Sequence, residues 1–303
     1  MKFLLRHPFT FGDNVGMVHA DTSDSDALAS AVEHFRVAWV KGHSDAAARR
    51  TATPSNEVPH NFLPWFCGPQ KLGYLSAARA RLLTQHLEHS HLHMDRLDWN
   101  ASHWNADTRS EALQGVLLTL RDAGHLRGWR NETFSFFAAD SDRPFLQAER
   151  AGFYFLGMRS DAVHVNGVTA DGRMWIARRS ASKAVDPGLL DNLCAGGLGA
   201  DETQMQAVVR ELYEEAGIHL QSVHELRYAG NVNVGRVREG GWHEERLQVY
   251  NLLLANGEQP ANQDGEVQDF QLLEAPEITR LIAGGQFTPD AAAAINQGLL
   301  TRG

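Results

Sequence analysis

The chain has 303 residues, 43% hydrophobic and 21% charged, enough to bury one large core or two ordinary ones. Its formal charge of −9 excludes a generally basic surface, so neither nucleic acid nor a membrane surface is an expected partner. Cys67 and Cys194 are too far apart for a zinc or CxxC pattern, and no leader-like or membrane-length apolar run is evident, which predicts a reduced, cytoplasmic protein.

Residues 1–57 read as an N-terminal extension, partly helical. Leu28, Val32, Phe35, Val37 and Trp39 predict an amphipathic helix between polar Asp21–Asp26 and a turn-rich stretch at 46–59. Residues 58–150 read as a small α+β domain. Two short apolar runs flank Gly68-Pro69 and predict a hairpin. Helical periodicity follows over AARARLLTQHL. A clearer helix has Leu113, Val116, Leu117 and Leu120 on one face and Gly124 at its end. GWRNETFSFF then reads as a strand.

Residues 151–303 change pattern. AVHVNGVTA and RMWIARR flank Asp171-Gly172, a hairpin signal. LLDNLCAGG reads as one short strand, and a helix is predicted over about 203–216. RYAGNVNV and ERLQVYNLLLA read as strands joined by glycine-rich RVREGG. A shorter strand, EVQDFQLL, precedes two closing helices. The predicted fold class is α/β: a C-terminal α/β/α sandwich on a mixed sheet, preceded by the small α+β domain.

The segment 196–218 concentrates the chemistry. Thr203 and Gln206 form a capping-box pattern that starts a helix, and Gly217 is placed to end it. Glu211, Glu214 and Glu215 fall within an arc of about 100° on that helix. Carboxylates so close repel one another unless cations neutralise them, and oxygen ligands select hard ions such as Mg²⁺ or Mn²⁺. Such ions serve phosphoryl chemistry by polarising phosphate. An acidic helix face alone is more often solvated. Here it follows a glycine loop, stands beside Arg210 and has Ala207, Val208 and Leu212 to anchor it.

This segment resembles the Nudix box, G-x5-E-x7-R-E-U-x-E-E-x-G-U, at every fixed position. The resemblance implies hydrolysis of a small-molecule diphosphate by water attack at phosphorus. It implies a metal set of Glu211, Glu214 and Glu215, with Gly196 letting the backbone approach. Glu202 and Arg210 would brace the loop, with Glu202 also near metal. Glu214, Arg210 and a late glutamate, Glu266, form the implied catalytic set; Glu244 and Glu245 are rivals to Glu266. RRSASKAVDPGLLDNLCAGG before the box, GHLRGWRNETFSF and DGEVQDFQLL resemble a Nudix subgroup with an extra N-terminal domain, akin to the Nudix part of fungal thiamine pyrophosphokinase fusions. That likeness implies conversion of thiamine diphosphate or its oxidised analogues to the monophosphate. Alternatives are an enzyme of ADP-ribose, NADH or other nucleoside diphosphates, a non-catalytic Nudix module, or an isopentenyl-diphosphate isomerase-like enzyme using Cys194.

Arg178, Arg179 and Lys183 are candidate diphosphate-binding residues, because arginine matches phosphate geometry and an anionic substrate beside carboxylates needs positive charge. Trp129 is a candidate platform for a heteroaromatic ring. The N-terminal domain is expected either to shape the substrate pocket or to form a homodimer contact.

Overall fold

The computed structural model describes residues 22–42, 56–139, 141–219, 225–255 and 257–300. The other parts of the predicted extension, 1–21 and 43–55, lie outside the described residues.

The extension contains one helix, α1 (Thr22–Gly42). Leu28, Ala31, Val32, Phe35 and Trp39 are buried, and they share a core with the last two helices of the chain. Val37 is exposed. It lies two residues from Phe35, about 200° round the helix, and so faces solvent.

The N-terminal unit begins with the expected hairpin, β1 (Phe62–Cys67) and β2 (Gln70–Ser76), turned at Gly68 with φ of 60°. Helix α2 (Ala77–His86) follows, capped by Ser76. Two short strands, β3 (Ser90–Leu92) and β4 (Leu97–Trp99), complete a four-stranded sheet in the order β2-β1-β4-β3. Helix α3 (Ala106–Asp122) buries Leu113, Val116, Leu117 and Leu120. Then come the paired strands β5 (Thr133–Phe137) and β6 (Pro144–Glu149) and a short helix, α4 (Arg150–Leu156). Trp65, Trp99, Leu117, Phe153 and Leu156 belong to one core, which runs on to Met158. β3, β4, β6 and α4 are too short or too polar to carry a periodic signal of their own.

The C-terminal unit is a seven-stranded mixed sheet between helices. Its strands are β7 (Arg159–Val168), β8 (Met174–Arg179), β9 (Leu190–Asp191), β10 (Cys194–Gly197), β11 (Glu225–Arg238), β12 (Gly241–Leu253) and β13 (Val267–Leu273). The main order is β11-β12-β7-β8-β13, with β10 beside β7 and β9 beside β8. Only the β7–β12 pairing is parallel within this sheet, which makes it mixed. Strand alternation sorts the faces. Val163, Val165, Tyr250 and Leu252 pack on helix α5 (Gln204–Ala216). Ala162, Leu247 and Val249 turn the other way, onto Ala293 and Ala294 of α7 (Pro289–Leu300). Helix α6 (Ala275–Ala283) and α1 close that second layer.

Two details differ from the sequence reading. LLDNLCAGG splits into β9 and β10, each paired with a different strand, so it is not one strand. RVR belongs to β11, and the turn is confined to Glu239-Gly240, both at positive φ.

The two units are joined by direct hydrogen bonds. Tyr74 N donates to Gly157 O at 3.1 Å, just before β7, and Arg79 Nη2 donates to Glu239 O at 2.9 Å. A side chain at Gly73 would come within 2.2 Å of Gly157 O, so a glycine is required for that approach.

Candidate active site

Helix α5 carries the acidic face. Thr203 caps it, accepting from Gln206 N, and Thr203 N in turn donates to Gln206 Oε1 at 2.8 Å. Gly217, with φ of 67°, ends it in the left-handed region. Ala207, Val208, Leu212 and Ala216 anchor it to the sheet. That packing turns Glu211 and Glu215 inward, where both are buried, and leaves the Glu214 side chain about half exposed.

The glycine loop fits against these carboxylates. Ala195 N donates to Glu215 Oε2 at 3.0 Å. A Cβ on Gly196 would stand 1.7 Å from Glu211 Oε1, so only glycine lets the carboxylate reach the backbone here. Arg210 grips Glu202 through Nε at 2.8 Å and Nη2 at 2.9 Å, a bidentate pair. Its Nη2 also donates to Gly197 O at 3.1 Å, and its Nη1 bonds Glu211 and reaches Glu214 at 3.3 Å. Burial works against the Arg210 cation, but Glu202 and Glu211 outweigh it and hold its pKa above the ordinary range.

A second acidic strand end meets this helix. Lys183 Nζ lies 3.3 Å from Glu215 Oε1 and also bonds Glu266. Glu215, Asp264 and Glu266 bring carboxylate oxygens within 4.8 Å of one another. Burial pushes Glu215 up to about 8, and Glu211 adds to the rise against the opposing pull of Lys183. Burial raises Glu211 as well. Burial opposes ionisation of Glu266 too, yet Lys183, with Arg130 and Arg150, keeps its pKa below the ordinary value. A buried carboxylate with a strongly raised pKa is a group in want of more positive charge. The all-oxygen donor set fits a hard divalent ion.

One cavity holds these groups together. Gly196, Glu211, Glu214, Glu266, Arg210 and Lys183 all line it, and so does Arg179. Glu202 and Glu215 do not line it, but Arg210 and Lys183, which do, are bonded to them. Arg179 is engaged by Asp191 at 2.8 Å and by Val185 O. Arg178 is outside the cavity, bonded to Gly188 O and 3.6 Å from Asp269. Trp129 is also outside. Its Nε1 donates to Asn131 Oδ1, and its ring faces Arg121 at 4.6 Å. Cys194 is fully buried, and burial holds its thiol far above the ordinary pKa, so it offers no reactive thiolate.

Apart from Glu245, a rival to Glu266 in the sequence, the inner half of the cavity comes from residues that carry no motif signal. His164 Nδ1 sits 2.7 Å from Asn192 Oδ1, and His243 Nε2 sits 3.1 Å from Glu245 Oε2. Tyr154, from α4, stacks obliquely on His243 at 4.6 Å. Arg236 Nη2 bridges Asp186 at 3.0 Å and Asp290 at 2.9 Å. Arg236 Nε and Asp290 Oδ1 are buried without a hydrogen-bond partner among the described residues. Burial opposes ionisation of Glu245, but His243 draws its pKa down. Burial, then the nearby Glu245, drives Asp290 up. The one local signal was strand alternation: Glu245 shares a face with Leu247 and Val249, whereas Glu244 does not.

A family model described as NUDIX domain matches residues 158–292, and one described as a domain of unknown function, DUF4743, matches residues 44–160. Nudix hydrolase 24, chloroplastic, from Arabidopsis thaliana is 31% identical over 192 residues, 62% of this chain and 53% of its own length. Nudix hydrolase 20, chloroplastic, from the same plant is 33% identical, over 60% of this chain and 49% of its own. The chain thus spans about half the length of these plant relatives. An uncharacterized Nudix hydrolase of Streptomyces coelicolor is 31% identical over 125 residues, 34% of this chain and 68% of its own. Among solved structures, DR0079 from Deinococcus radiodurans aligns over 55% of this chain and 98% of its own, with a TM-score of 0.45 and 20% identity.

Proposed function

The chain belongs to the Nudix hydrolase family, and on that premise we propose that it hydrolyses a small-molecule diphosphate with Mg²⁺ or Mn²⁺. The observation that carries this reading is the convergence of Glu211, Glu214 and Glu215 on one helix with Asp264 and Glu266 before β13. Glu211, Glu214, Glu215 and Asp264 would hold the ion. When bound, it supplies positive charge to the phosphoryl oxygens.

The protein's own groups do the rest. Glu202 and Arg210 lock the glycine loop to the helix. Lys183 takes Glu266 Oε2, which leaves Oε1 to orient the attacking water and accept its proton. Water oxygen bonds to phosphorus as the bridging P–O bond breaks, the water's proton passes to Glu266, and each product half keeps one phosphate. The buried Cys194 thiol favours hydrolysis over a cysteine-dependent isomerisation. Both thiols are free and buried, in keeping with a cytoplasmic setting.

For the substrate we favour thiamine diphosphate or its oxidised analogues, released as the monophosphate. The cavity volume of about 230 Å³ is small beside the roughly 300–1,000 Å³ of drug-sized ligand sites and suits a compact substrate over a dinucleotide. The inner half offers carboxylates and imidazoles that match a nitrogen-rich ring. The test is phosphate or monophosphate release with Mg²⁺, comparing wild type with Glu214→Gln on thiamine diphosphate, oxo-thiamine diphosphate, ADP-ribose, NADH and nucleoside triphosphates. Turnover by wild type alone is expected. Equal inertness of both proteins would mean a non-catalytic module, and preference for ADP-ribose or NADH would sink the thiamine assignment alone.

A further inference from the structure

Most cations on the cavity wall already have partners. Lys183 is held by Glu215 and Glu266, Arg210 by Glu202, Arg179 by Asp191, Arg236 by Asp186 and Asp290, and Arg150 by Glu132 at 2.7 Å. Two differ: the side chains of Arg130 and Arg238 line the cavity with no hydrogen bond or ion pair to any described residue. Arg238 bears electrostatically on Tyr154, toward the inner half. Arg130 bears on Glu266, at the acidic half where phosphorus would be attacked.

Arg130 comes from the N-terminal unit, yet the backbone that presents it is tied down on both sides. Its own N–H donates to Glu149 Oε1 at 2.9 Å, and Glu149 is 2% exposed. Three residues on, Thr133 O accepts from Ala200 N at 2.8 Å, directly on the glycine loop of the C-terminal unit. Phe134 packs so closely that a Cβ on Gly197 would stand 2.6 Å from its Cζ. Arg150 N donates to Glu132 O at 2.7 Å and closes the segment against α4. The guanidinium is therefore mounted on a rigid base and makes no hydrogen bond or ion pair with any described residue.

We propose that Arg130 binds the substrate's phosphates, so that the N-terminal unit, matched by a family model of unknown function, forms one wall of the diphosphate site. The assignment rests on the diphosphate-hydrolase reading. A diphosphate must settle against five carboxylates whose local cations, Lys183 and Arg210, are spent on holding those carboxylates. A free guanidinium facing them supplies the missing charge and the planar fork that matches two phosphate oxygens. The sequence-nominated cations Arg178 and Arg179 are bound to the protein itself, so they do not fill this role.

The test uses the whole chain and two readouts. Calorimetric binding of inorganic diphosphate with Mg²⁺ is measured for wild type, Arg130→Ala, Arg130→Lys and Arg127→Ala, an exposed arginine of the same loop outside the cavity. Steady-state turnover of the best substrate is measured alongside. Arg130→Ala is expected to weaken diphosphate binding and kcat/KM by about 10- to 100-fold, the worth of a charged hydrogen bond. Arg130→Lys recovers part of the loss, Arg127→Ala matches wild type, and the melting temperature of Arg130→Ala is unchanged because no internal bond is removed. Binding by Arg130→Ala within two-fold of wild type overturns the inference, as does a wild type that binds no diphosphate. Loss of binding in a protein with no hydrolytic activity would instead sink the hydrolase reading and leave this site standing.

Discussion

The two halves of the cavity are built on opposite principles. The acidic half is local: three of its carboxylates sit within five residues of one helix, and Arg210, on the same helix, braces them. The inner half is assembled from α4, β7, β11, β12 and α7, through Tyr154, His164, Arg236, His243, Glu245 and Asp290. In the acidic half, burial, with a smaller push from Glu211, raises the pKa of Glu215 despite the pull of Lys183. In the inner half Arg236, Glu245 and Asp290 each have a neighbour of opposite sign or a histidine. The first arrangement is prepared for a cation and a phosphate. The second is prepared to read a shape and a hydrogen-bonding pattern. A family can therefore keep its chemistry while exchanging its substrates.

The sharpest break in that contrast is Glu266→Gln. The amide is nearly the same size but cannot take a proton, so kcat is expected to fall by about 10²–10⁴ while KM moves little. Single-turnover and steady-state kinetics check it. A mainly KM effect would move Glu266 from the proton-handling role to a binding one.

Asp290→Asn should act the other way. It disturbs the Arg236 clamp in the inner half and leaves the acidic half untouched. KM for the preferred substrate is expected to rise about tenfold, with inorganic diphosphate binding preserved, as for loss of one hydrogen bond to a charged group. Equal loss of inorganic diphosphate binding would erase the division between the halves.

The smallest effect is on stability. Burial raises Glu215 from 4.5 to about 8, so its folded form prefers to be protonated. Its contribution to stability is full below about 4.5 and is lost as pH rises through 8. With EDTA, the melting temperature should decline by several degrees between pH 5 and 8.5. Mg²⁺ should reverse the decline and Glu215→Gln should flatten it. A flat profile for the metal-free wild type would refute the charge deficit.

The legibility of the site follows the same division. Glu211, Glu214 and Glu215 could be read because a helical repeat places them on one face whatever surrounds the helix. Glu266 is legible through a family pattern, while nothing local distinguishes Asp264, two residues away, from a turn aspartate. Trp129 looked like a ring platform, yet its indole lies against Arg121. In the same loop, Arg130 carried no signal, because only the docking of Thr133 and Phe134 on the glycine loop points it into the cavity. Helix α1 shows the same limit: its apolar spacing was visible, but the layer it covers was not.

What the chain determined by itself is short-range: the capped helix, its three carboxylates, the glycine that must lie beside Glu211, and the alternation that builds a two-faced sheet. These depend on backbone period and on contacts within a few turns. Tertiary structure alone decided which distant residues share the cavity. Arg130 and Glu266 are 136 positions apart, and His164 and Glu245 are separated by 81. Bringing such pairs together requires the parallel β7–β12 pairing and the docking of one unit on the other, and neither leaves a periodic trace in the residues that meet.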